Sequence, residues 1–95
     1  MKVLYMNITL RAEWCNSLKE KRMIVKSIIA RLKNKFNISV VESQNQDNHK
    51  IIVISIVGLA ADSGIADSTI ENIINFVDAN TDAEIINIER DTEEF

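Results

Sequence analysis

Twenty residues near the start of the chain, Ser17–Phe36, repeat their large apolar side chains with the period of an α-helix. At 100° per residue Leu18, Val25, Ile29, Leu32 and Phe36 share one face, with Ile28 on its flank. Ser17 and Glu20 form an S-x-x-E capping box: the hydroxyl takes the amide three residues on, and the carboxylate reaches back to the cap amide. A long helix with one greasy side must lie on something flat and apolar. Burying that side contributes roughly 1.5–3 kcal/mol per large side chain.

The rest of the chain supplies the flat surface. Lys2–Leu10 alternates with period two, Leu4, Met6, Ile8 and Leu10 pointing one way and Val3, Tyr5, Asn7 and Thr9 the other. Ile38–Gln44 is a second strand with Ile38 and Val40 as core positions, and Asn37 before it is a candidate left-handed helix terminator. Lys50–Leu59 is nearly all aliphatic, as a central strand is. A second helix is expected over Ile65–Ala79, capped by Asp62 or Ser63, with Ala66, Ile70, Ile73, Ile74 and Val77 inward. A last strand over Ala83–Arg90 turns Ile86 and Ile88 inward. The order βαββαβ predicts an α+β, ferredoxin-like domain with a four-stranded antiparallel sheet and both helices on one face, the crossovers right-handed. Ninety-five residues make one such domain over residues 1–91, with residues 92–95 as an acidic, frayed tail.

This arrangement leaves Val3, Tyr5, Val41, Ile51, Val53, Val57 and Ile85 on the open sheet face. That is enough aliphatic surface to predict an interface with another copy, a homo-oligomer.

Charge is unevenly spread. Net charge is −3, yet seven of the eleven Lys and Arg lie on the first helix against one acid, Glu20. From Asp62 onward only Arg90 is basic. The asymmetry either steers a partner or favours the two helices lying side by side. Lys19, Arg22, Lys26 and Lys33 form a stripe along one helix edge which, with Arg11, has the form of a track for a phosphate backbone. Its plainer reading is a solvated face, with Arg22 held across the fold by Glu42 or Glu89. Trp14, in the loop before the helix, is either a contact for a base or a protein, or a lid over the end of the core.

Chemistry beyond binding finds little support. Cys15 precedes the helix cap but has no nearby base, because the one histidine, His49, belongs to the distant hairpin. One histidine and one cysteine do not make a zinc site. Glu42 and Asp47 flank a hairpin without pocket-forming glycines, and Gly58 and Gly64 build no phosphate loop. The expectation is no catalysis, no metal and no cofactor. No apolar run reaches the ~20 residues a membrane span needs. No signal-peptide pattern follows Met1, and the lone cysteine points to the cytoplasm.

SLKEKR (Ser17–Arg22), RLKNKFNISVVES (Arg31–Ser43) with Gln46-Asp47, and AEIINIER (Ala83–Arg90) together resemble the small bacterial YlxP-like family, a domain of unknown function. The resemblance spans nearly the whole chain. It implies a ferredoxin-like fold and a gene setting near translation-initiation and ribosome-maturation genes, and no established activity. Asn45 stands where the family often has His, and Asn48-His49 where an apolar-aromatic pair is usual.

Two expectations follow. One is a module bound to RNA or the ribosome through the first helix, since the sheet lacks the stacked aromatics of RNA-binding sheets. The other is a homo-oligomeric protein-interaction module working through the open face. A small-molecule sensor, without glycine-rich loops, ranks behind both.

Overall fold

The computed structural model describes all 95 residues. The elements run β1 (Lys2–Arg11), α1 (Leu18–Lys35), β2 (Ile38–Gln44), β3 (Ile51–Ala60), α2 (Ser63–Asn80) and β4 (Glu84–Glu94). The four strands form one sheet in the order β2-β3-β1-β4, every neighbouring pair antiparallel. This is the ferredoxin-like βαββαβ fold.

The alternation in β1 works as read: Leu4, Met6, Ile8 and Leu10 are buried. They meet Ile52, Ile54 and Ile56 of β3, Val25, Ile28 and Leu32 of α1, and Ile70, Ile73 and Val77 of α2 in one core. Both helices therefore cover the same sheet face. They touch each other through Phe36 and Phe76, packed edge to face with centroids 5.6 Å apart, and through Arg31, whose Nη1 donates to the Asn80 carbonyl at the end of α2 (3.3 Å). Gly58 leaves room for the β2 edge: a Cβ there would come within 2.9 Å of Ile38 Cγ2.

Three sequence expectations are corrected. Asn37 is not left-handed; α1 stops at Phe36 in extended backbone (φ −126°), and the one non-glycine residue with positive φ is Asn45 (57°), in the β2–β3 turn. Residues 92–94 are not a frayed tail, because β4 pairs with β1 as far as Lys2 opposite Glu94, and the Phe95 amide donates to the Met1 carbonyl (2.8 Å). Ile85 does not lie on the open face. A bulge pairs Thr9 with Asn87 but Leu10 with Ile85, so Ile85 and Ile88 both pack on the core and Ile86 is exposed. One extra residue reverses which side chain of the pair faces in.

Candidate nucleic-acid interface

The first turns of α1 divide their charges between two jobs. The Glu20 amide donates to Ser17 Oγ (3.1 Å), and Glu20 Oε2 accepts from the Asn16 amide (3.3 Å), one residue before the cap. Lys21, only 1% exposed, belongs to the interior. Its Nζ donates to the carbonyls of Asn45 (2.6 Å) and Asn48 (2.7 Å) and lies 2.9 Å from Glu42 Oε2. An ammonium has three protons, and three acceptors surround this one. Lys21 thus clamps the β2–β3 turn to the start of α1.

Sequence reasoning missed this clamp and looked to Arg22 instead. Arg22 is exposed and pairs with no carboxylate; Glu42 is taken by Lys21, and Glu89 sits opposite Asn7, a position that points away from the helices. The signal was present in the helical period. Position 21 falls midway around the arc between Val25 and Ile28.

Lys19, Arg22, Lys26 and Lys33 are all exposed, and none takes part in an ion pair. Ile28, Arg31 and Leu32 line the contact with α2, which turns the row of four toward solvent on the opposite flank. The acids of α2 do not meet it either: Glu71 pairs with Arg90 of β4. No ion pair links the two helices. Arg11 does not extend the row. It ends β1 opposite Glu84, pointing away from the helices, with its Nε 3.4 Å from Glu13 Oε1.

Trp14 does not enter the core, and nearly half of it stays exposed. Ala12 and Cys15 do enter it, both fully buried, and the Cys15 thiol lies 3.4 Å from the Ser17 carbonyl. Lys50 holds the loop from outside, donating to the carbonyls of Glu13 and, at 3.4 Å, Cys15. Trp14 between them remains 47% exposed and shares a shallow depression with Met23, Ile24, Ser27 and Thr81.

On the open sheet face Tyr5, Val41 and Val57 are exposed, Val3 and Ile51 are half-buried, and Val53 is buried. Leu59, opposite Val3, is 66% exposed and adds to the patch without having been anticipated. A polar row crosses the middle, where Ser55 Oγ lies 2.5 Å from Asn7 Oδ1 and 2.6 Å from Ser43 Oγ. Along the β4 edge the same face carries Glu84, Glu89, Asp91 and Glu93. No group of three or more His, Cys, Asp or Glu gathers where it could hold a metal, and no helix is long and apolar enough to cross a membrane.

Fold and surface together define a small α+β domain with one basic outer helix and an open sheet face. The chain belongs to the family described as "Protein of unknown function (DUF503)", whose model matches residues 3–90. It is 32% identical over 63 residues to "Uncharacterized protein YlxP" of Bacillus subtilis (strain 168), a match covering 66% of this chain and 68% of that one. It also resembles the solved structure of "De novo designed protein Foldit4" with a TM-score of 0.51 and 16% identity, covering 99% of this chain and 97% of that one, a likeness of fold alone. Within SLKEKR, Ser17 and Glu20 cap and Lys21 clamps, which leaves Lys19 and Arg22 with no partner inside the fold. The departures at Asn45 and Asn48 leave the clamp intact, because Lys21 uses their main-chain oxygens.

Proposed function

We propose that the protein is a non-catalytic RNA-binding module that holds phosphates along the outer flank of α1. The observation that carries this reading is the row Lys19, Arg22, Lys26 and Lys33: four exposed cations with no internal partner along one edge of a helix whose Lys21 and Arg31 have partners and whose Lys35, also exposed and unpaired, lies off that edge. Partnerless cations in a row repel one another, and a polyanion relieves the repulsion while releasing its own counterions. Structured RNA, free or within a ribosomal particle, is the anion this spacing suits.

Fluorescence anisotropy against a labelled RNA hairpin tests it. Engaging about four phosphates gives a slope of log K against log salt of about −3 to −4. Lys26→Glu is expected to weaken binding and flatten that slope. Unchanged affinity in Lys26→Glu defeats the reading.

A second reading, a homodimer through the open face, is favoured by the exposed Leu59, Val41 and Val57. The edges differ in a way that suits self-pairing. On this face β4 is acidic, whereas β2 shows Ser39, Val41 and Ser43. A twofold axis parallel to the strands lays each β4 over the partner's neutral β2, so the acid rows do not meet. Light scattering at micromolar concentration tests this, with Leu59→Glu expected to dissociate the dimer. A wild-type monomer ends it.

A further inference from the structure

The stripe explains affinity for any polyanion; the depression beside it points to which form of RNA is bound. On α1 and in the loop that precedes it, two large apolar side chains stay exposed, Trp14 (47%) and Met23 (67%), and both line the same depression. Met23 is four residues after Lys19 and three before Lys26, so on a helix it touches the turns of both. The aromatic depression and the basic stripe are therefore one continuous surface, with cations on one side and an indole on the other. Thr81 and Asp82, from the α2–β4 turn, close the far rim. A carboxylate there repels phosphate yet accepts hydrogen bonds from base N–H groups, which confines the backbone to the lysine side.

We propose that this site takes single-stranded RNA, with one unstacked base lying on Trp14 while the adjoining phosphates run along Lys19 and Lys26. The proposal rests on the phosphate-binding reading of α1 and adds the requirement for a free base. A base inside a duplex already has both faces stacked and cannot enter the depression. A looped or unpaired nucleotide can, and an aromatic platform of this kind accepts any base because every base has a π-face. The charge favours this occupant over a peptide, since Lys19 and Lys26 flank Met23 at the near rim of the depression, one helical turn to either side.

Trp14 is the only tryptophan in the chain, so intrinsic fluorescence reports on this site alone. The experiment titrates the whole protein with an unlabelled single-stranded RNA of about 12 nucleotides, within the span such sites cover, and with the same strand annealed into a blunt duplex. Single strand is expected to quench the tryptophan emission, and duplex to leave it nearly unchanged. In parallel anisotropy measurements Trp14→Ala is expected to weaken single-strand binding by about 5- to 100-fold, with the salt slope and the duplex affinity unchanged, and Trp14→Phe to retain most of the affinity. Equal quenching by both RNAs overturns the proposal, as does full single-strand affinity in Trp14→Ala. If Lys26→Glu weakens binding but Trp14→Ala does not, phosphate binding stands and the base site falls. If neither variant changes anything, or an unrelated peptide quenches as well as RNA does, both readings fall.

Discussion

Helices α1 and α2 are each 18 residues long, each capped by a side-chain oxygen, and each turns four buried residues to the sheet. They differ in what those residues are. α2 buries Ala66, Ile70, Ile73 and Val77, and is held by apolar packing. α1 buries Val25, Ile28 and Leu32 together with Lys21, and leaves a row of cations facing water. One helix only closes the core; the other closes the core, fastens a turn and presents a charged flank. The same scaffold thus assigns all the spare basic chemistry to a single element.

That contrast can be broken by substitution, and its largest expected effect lies at Lys21. Removing one partner of a buried ion pair leaves the other uncompensated, so Lys21→Ala is expected to cost about 3–5 kcal/mol in urea denaturation. Lys21→Met, which keeps the volume, is expected to recover little, because Glu42 still loses its counter-charge and two carbonyls lose their donor. Adding Glu42→Leu to Lys21→Met is expected to recover most of the loss. In α2 the equivalent disruption is a cavity. Ile73→Ala is expected to cost about 2–5 kcal/mol and Ile73→Val only about 0.5–1.5. If Lys21→Met proves as mild as Ile73→Val, the two helices are held in the same way after all.

Next in size come the caps, where the helices should behave alike. Ser17 accepts from the Glu20 amide (3.1 Å) and Asp62 from the Ile65 amide (2.9 Å). Ser17→Ala and Asp62→Ala are each expected to lower stability by about 1 kcal/mol. A much larger loss at Ser17 alone would show that the cap also positions Lys21.

The fold was legible because period and punctuation agreed: both helices, all four strands and most of the core follow from spacing. What escaped the sequence was set by single-residue events. Ile85 and Ile86 are adjacent and chemically identical, so only the bulge decides which faces in, although the inward pair Ile85 and Ile88, three apart, is the spacing a bulged strand leaves. Asn37 and Asn45 both suit a left-handed turn, and the tight β2–β3 connection rather than the helix end used it. Residues 92–94 look like a solvated tail by charge, yet β1 offers them an unpaired edge. Trp14 has the size of a core residue, but the smaller Ala12 and Cys15 fill the space at the end of the sheet. The exposed row of four cations on α1 was legible; that Arg11 stands apart from it, and that Lys21 is buried in a clamp, is set by tertiary contacts.

The smallest effect on stability is also the most informative. Arg22 has Lys19 three residues before it and Lys26 four after, so two like charges crowd it along the helix. With no carboxylate nearby to compensate, Arg22→Gln is expected to raise stability by about 0.2–0.5 kcal/mol. The same change removes one phosphate contact, so the salt slope of RNA binding is expected to fall by about 1. A residue that weakens its own helix and strengthens a complex has its partner outside the fold. A loss of stability above about 1 kcal/mol in Arg22→Gln would mean an internal partner holds the guanidinium, since surface changes away from such contacts stay within about 0.5 kcal/mol. The row would then have three free members rather than four, and α1 would differ less from α2 than its charges suggest.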